Sequence, residues 1–255
     1  MATRTGRSIE ASPAQHLKGV ASTAEQFVIV GIKWGQLGAN VPNDFVASQV
    51  KAYGGRAIGF ACVDPCDPEA PAELERAFGS LGLRGLKLSP PYQAFDPWSK
   101  EAWRLYEIAD GFRAPIMFHQ AAAFAAQASL EWANPILLDK IARSFPRLRI
   151  IVAHLGQPWT EETVQLLRKH HQLFADLSAR YYRHWQLYNG LMAAIDYGVT
   201  GQLLFGSDFP MQSTSEAVRE FRSINDWGPD VRLPRIPESV IEDIISNRPI
   251  SLLDK

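Results

Sequence analysis

With 255 residues, 46% of them hydrophobic and 21% charged, the chain has the make-up of a globular protein able to bury a sizeable core. A formal net charge of -1 leaves no basic surplus, which argues against nucleic acid or an anionic membrane as a main partner. No apolar run reaches the ~18 residues a membrane span requires, and residues 1–15 lack the apolar stretch of a secretory signal.

In chain order, SPAQHLKGVAST (12–23) reads as a helix. After it comes one pattern, repeated to the end: a short apolar strand, a turn, an amphipathic helix. The strands are expected at 26–32, 56–64, 83–89, 114–120, 149–155, 173–179 and 202–208. Most are continuous apolar runs rather than alternating ones, as parallel strands covered on both faces require. Between them, Ala102, Leu105, Tyr106 and Ala109 fall at helical spacing, as do Leu137, Ile141 and Phe145, and then Tyr188, Leu191, Met192 and Ile195. Strand-helix alternation over 1–255 predicts one α/β domain with a parallel sheet. Two cysteines, Cys62 and Cys66, form no disulfide framework, and a reducing, cytoplasmic setting is expected.

Active sites of such folds lie at the carboxyl ends of the strands. His119, His154 and Asp208 each close a greasy run (APIMFHQ, RIIVAHL, QLLFGSD), and Ser89 and Lys87 end another. Burying any one of these groups unpartnered would cost roughly 2–7 kcal/mol. A divalent metal held by imidazole nitrogen and carboxylate oxygen would satisfy several at once.

Four segments, RGLKLSPPYQAFDP, APIMFHQ, IARSFPRLRIIVAHLG and LLFGSDFP, resemble in order and interval the amidohydrolase-related branch of the amidohydrolase superfamily. That resemblance runs from about Ser12 to the C-terminus. It implies a TIM-barrel-like (β/α) fold and metal-dependent hydrolysis of a small, carboxylated or cyclic substrate. Non-oxidative decarboxylation is the alternative within the family. The matching positions imply that His119 and Asp208 ligate the metal, zinc first and manganese second, and that His154 either ligates metal as well or polarises the substrate. Asp208 and His154 would then act on the metal-bound water and on the substrate.

Further residues are expected to meet substrate. Lys87 binds a carboxylate or sits in a core ion pair; Ser89 stands where relatives often carry histidine; Tyr92 covers the mouth or packs a loop. Gln120 and Trp159 follow the two histidines and are expected to line the site. Tyr181 belongs to a cluster after the seventh strand that contacts substrate or packs internally.

The family pattern opens with a strand bearing His-x-His, and no such pair occurs in this sequence. An incomplete barrel of seven strands, lacking the first, is therefore predicted. Three explanations stay open: a shortened relative with the strand encoded upstream, a scaffold that binds ligand without catalysis, or a strand supplied by another copy. A homodimer fits the last.

Overall fold

The computed structural model describes residues 11–228 and 232–246. The strands are β1 (Phe27–Val30), β2 (Lys33–Trp34), β3 (Ala39–Asn40), β4 (Ala57–Cys62), β5 (Gly85–Leu88), β6 (Ile116–Phe118), β7 (Ile150–Val152), β8 (Leu173–Asp176) and β9 (Leu203–Leu204). The first helices are α1 (Pro13–His16), α2 (Asn43–Ala52), α3 (Ala70–Gly79), α4 (Pro90–Gln93) and α5 (Lys100–Gly111). After them come α6 (Leu138–Ser144), α7 (Thr160–Lys169), α8 (His184–Asp196), α9 (Thr214–Arg222) and α10 (Glu238–Ser246).

Seven strands pair in the order β1-β4-β5-β6-β7-β8-β9, every neighbour parallel. The sheet curls with helices around it and does not close between β1 and β9, giving a TIM-barrel-like half-barrel short of one strand, as the sequence predicts. Its two faces explain the continuous apolar runs. Phe60, Ile151 and Leu204 are buried in a small cluster on one face, while Leu86, Leu88, Ile116, Phe118 and Val152 join the main core with the helices. In α5, the stripe Ala102, Leu105, Tyr106 and Ala109 is buried, and Ser99 caps the helix by accepting from the Ala102 N–H. Burying side chains of this size contributes about 1.5–3 kcal/mol each.

Every ladder is shorter than its apolar run, and the lost residues lie mainly at the carboxyl ends. The run 202–208 keeps only Leu203–Leu204, and 149–155 keeps Ile150–Val152. The cause is backbone conformation. His154 (φ 58), Leu155 (φ 51), Ala179 (φ 58) and Asp208 (φ 57) are left-handed, which no strand can continue through. The antiparallel pair β2–β3 was not anticipated; its strands are two residues each, too short to show a period.

The gap between the two sheet edges is bridged by the N-terminal helical segment. Ser12 and Gln15 form a capping box on α1, and the helix runs on as a π-turn over Leu17–Ala21. His16 packs its ring 5.3 Å from Phe27 at β1 and 5.6 Å from Phe209 beyond β9. Its Nδ1 also lies 2.8 Å from the Tyr53 hydroxyl. Gly19 sits so close to the Phe209 ring that a Cβ there would overlap it. Arg56 holds the far end, donating to the carbonyls of Ala21, Ala24 and Glu25. His16 is thus part of the bridge, away from the strand-end histidines.

Candidate active site

The turns after β6 and β7 bring two distant histidines together: the His119 and His154 rings are 4.9 Å apart, edge to face. Around them lies a mutually interacting set of charges. Lys87 feels Asp176 and Asp208; His154 feels Lys87 and Arg180; Asp208 feels Asp176, Lys87 and Arg180. Tyr92 packs 5.0 Å from His119 and stacks at 4.4 Å on Trp34, and its hydroxyl accepts from the Phe124 N–H at 3.1 Å.

Burial sets the protonation states. It holds His119 well below the ordinary histidine range, helped by the charges of His154 and Lys87. It lowers His154 to about 3, with Lys87 and Arg180 adding to the effect. Both rings are neutral at pH 7. Burial also lowers Lys87 and takes Arg180 down to about 10. Asp208 moves the other way, up to about 7, first through desolvation and then through the nearby Asp176 charge. The residue as a whole remains exposed to solvent, so water reaches it.

Lys87 and Arg180 are buried, and neither forms an ion pair among the described residues. Arg180 donates to the Ala179 carbonyl at 3.1 Å and reaches Gln186 at 3.5 Å. Lys87 makes no contact salt bridge among the described residues, while Asp176 and Asp208 lie near enough to act on it, so the readings as a carboxylate binder and as part of a core ion pair both stand. What remains is a mouth with two buried cations and no salt-bridge partner for either.

Other expected site residues are placed differently. Tyr181 is wholly buried, its ring 5.5 Å from Phe205 and 5.4 Å from Phe221, which matches the internal-packing alternative for its cluster. Gln120 is also fully buried, donating to the carbonyls of Trp132 and Asn134 and so anchoring the loop after β6. Trp159 precedes α7, where its carbonyl accepts from Thr163. Ser89 is buried with its hydroxyl unpartnered. Trp34, Asp176, Ser178 and Arg180 belong to the neighbourhood and were not singled out from the sequence. The signal available for Asp176 and Ser178 was polarity at alternate places in LFADLSA.

A catalytic zinc takes three protein ligands and a water. Among the described residues, no group of three His, Cys, Asp or Glu side chains is arranged to hold a metal ion. Nε2 of His119 lies 3.3 Å from the Ala122 carbonyl, an acceptor-only partner, so that nitrogen carries the proton. Nδ1 of His154 is engaged by Ser178. Two cations also share the space. The residues as arranged do not fit a divalent metal.

A family model described as amidohydrolase matches residues 9–246. Comparison with curated proteins finds no match. Among solved structures, the chain is similar to an uncharacterized TIM-barrel protein from Bordetella bronchiseptica, at 21% identity and TM-score 0.75, covering 95% of this chain and 82% of that one. It is similar to a probable 2-pyrone-4,6-dicarboxylic acid hydrolase from Acinetobacter baumannii with citric acid bound, at 15% identity and TM-score 0.66, covering 94% and 86%. A third is dihydroxybenzoic acid decarboxylase from Polaromonas with bound manganese and an inhibitor, 2-nitroresorcinol, at 20% identity and TM-score 0.58, covering 83% and 73%. At these identities the likeness shows the fold.

Proposed function

Given that the chain belongs to the amidohydrolase family, we propose that it is an enzyme hydrolysing a small carboxylated molecule at the mouth of the half-barrel. The observation that carries this reading is the pairing of buried, unpaired Lys87 and Arg180 with a carboxyl, Asp208, that titrates at about 7. Two buried cations that make no contact salt bridge among the described residues, and are only partly balanced by Asp176 and Asp208, attract an anionic substrate. A group with its pKa near the working pH is suited to moving a proton.

In this scheme the Asp208 carboxylate takes a proton from water as the water oxygen bonds to the acyl carbon. The Lys87 ammonium stabilises the oxyanion that forms. As the carbon–oxygen bond to the leaving group breaks, Asp208 returns the proton to it. A pyrone-dicarboxylate hydrolase and a dihydroxybenzoate decarboxylase are both among the similar structures, so the choice of reaction rests on the state of Asp208. Hydrolysis needs the carboxylate, and its rate rises with pH through about 7. Decarboxylation needs a proton delivered to the carbon that loses carbon dioxide, and a rate supplied by the acid form falls over the same interval.

The experiment is a panel of lactone and aromatic carboxylates followed by mass spectrometry and carbon dioxide release, with Asp208→Asn alongside. Hydrolysis products, a rising pH limb near 7 and a loss of about 10²–10⁴ in kcat for the variant are expected. A falling limb with carbon dioxide release would move the assignment to decarboxylase. Anion binding without turnover of any compound would make the chain a binding protein. Metal content enters as a separate arm: the donor arrangement predicts unchanged kcat after chelation, and stoichiometric zinc or manganese with chelator-sensitive turnover would restore the metal-dependent scheme.

A further inference from the structure

Asp176 is a buried carboxylate next to the mouth, and the proposed hydrolysis gives it no role. Its Oδ1 collects several donors. The Ser178 N–H donates to it at 2.9 Å, the Ser178 hydroxyl makes a short bond to the same atom, and the His154 N–H reaches it at 3.3 Å. The last contact helps hold His154 in its left-handed conformation (φ 58), which is costly for a residue with a Cβ and persists where surroundings over-determine it. The imidazole then points back at the same segment. Its Nδ1 lies 2.8 Å from the Ser178 hydroxyl oxygen and 3.1 Å from the Ser178 carbonyl oxygen.

Donor and acceptor roles follow. A carbonyl only accepts, so His154 Nδ1 carries the proton. The Ser178 hydroxyl gives its hydrogen to Asp176, which leaves its oxygen free to accept from the same Nδ1–H. His154 Nε2 therefore holds a lone pair, and it has no hydrogen-bond partner among the described residues. Its side chain keeps 13% exposure, and its ring lies 4.9 Å from that of His119. Gly206 closes the arrangement: a Cβ there would come within 3.2 Å of the Ser178 Cβ and 3.8 Å of the Asp176 carboxylate. A larger residue in FGSD would crowd the serine that orients the histidine.

We infer that Asp176 and Ser178 are positioning residues that lock His154 in the Nδ1–H tautomer and present its bare Nε2 to the substrate as a hydrogen-bond acceptor. The inference rests on the proposed enzymatic reading for its consequence, though not for its measurement. In the hydrolysis, Nε2 would orient the attacking water by accepting one hydrogen while Asp208 takes the other. His154 gains no net proton in the cycle.

The test is nitrogen-15 NMR of the full chain with labelled histidine, at pH 7. His154 is assigned by its loss in His154→Gln. Long-range proton–nitrogen couplings are expected to report a protonated Nδ1 and an unprotonated Nε2. Ser178→Ala and Asp176→Asn are expected to shift the signal towards a mixture of tautomers, and to lower kcat by roughly 10- to 100-fold, the usual cost of losing an outer partner of a functional histidine. KM should change little. An Nε2–H tautomer in the unaltered protein would overturn the inference, as would a tautomer unchanged in both variants. The unaltered protein's spectrum needs no variant, so a variant that fails to fold leaves the test standing. A correct tautomer in a protein that turns over no carboxylate would sink the hydrolase reading alone.

Discussion

The outer helices and the strand-end mouth treat charge in opposite ways. Outside, Arg76 is 41% exposed and still meets Asp44 at 2.6 Å and Glu73 at 2.7 Å, while Arg222 meets Glu242 at 2.7 Å. At the mouth, Lys87 and Arg180 are 7% and 5% exposed and make no such pair. Water could have solvated the first set unaided; the second set has no contact salt bridge among the described residues, with Asp176 and Asp208 acting only from farther off. Pairing is concentrated where it is worth least and is looser where burial makes charge costly, which is the contrast the proposed binding role draws on.

Acid separates the two regions most strongly. His154 falls to about 3 when folded from an ordinary 6.5. Between these values the unfolded chain binds a proton that the folded chain does not, so stability is fully present above about 6.5 and is lost as pH falls towards 3. For His154 alone this is on the order of 5 kcal/mol, at about 1.36 kcal/mol per pKa step, and the lowered His119 adds in the same direction. Asp208 opposes them: its raised value makes the folded state the better proton binder between 3.8 and about 7. Two histidines outweigh one carboxyl, and Tm is expected to drop steeply between pH 6.5 and 4. In His154→Gln the slope of Tm against pH should flatten. An unchanged slope would mean the imidazole is well solvated when folded.

Lys87→Met sharpens the contrast from the side of binding. The substitution keeps an unbranched chain of similar length and removes a buried charge, so it relieves a desolvation penalty while deleting a hydrogen bond to an anion. Bonds to charged groups are worth about 1.5–3 kcal/mol, so the affinity for a carboxylate should fall by roughly 10- to 100-fold. Stability should change little, because the relieved desolvation is offset by the lost attraction to Asp176 and Asp208. A large loss of stability with unchanged affinity would return Lys87 to a structural role.

The fold was legible because its signal is repeated. Continuous apolar runs at seven places specify parallel strands covered on both faces, and all seven pair in sequence order. What failed was the exact end of each run, since nothing in VAHLG or FGSDF declares that His154 and Asp208 are left-handed. The candidate site divided along similar lines. His119, His154 and Asp208 stood out as polar residues ending apolar strands, a local contrast. Arg180 and Ser178 were hidden because their importance comes from what β7 and β9 bring beside them. For Tyr181 the sequence left contact with substrate and internal packing both open; one residue beyond Arg180, it turns into the core against Phe205 and Phe221.

The smallest expected effect lies on the outside. Arg76 bridges α2 and α3 through Asp44 and Glu73. Its carboxylate partners are held below their ordinary range by the guanidinium. Exposed pairs of this kind contribute little, since water solvates the separated charges nearly as well. Arg76→Ala should therefore move Tm by only a few degrees, and the shift should shrink in 1 M salt as the charges are screened. Turnover should not change. The acid-labile transition of the mouth should persist in this variant, because the histidines that produce it lie at the other end of the contrast. If Arg76→Ala lowered stability as much as protonating His154 does, the outer network would be structural in its own right, and the mouth's unpaired cations would lose their distinction.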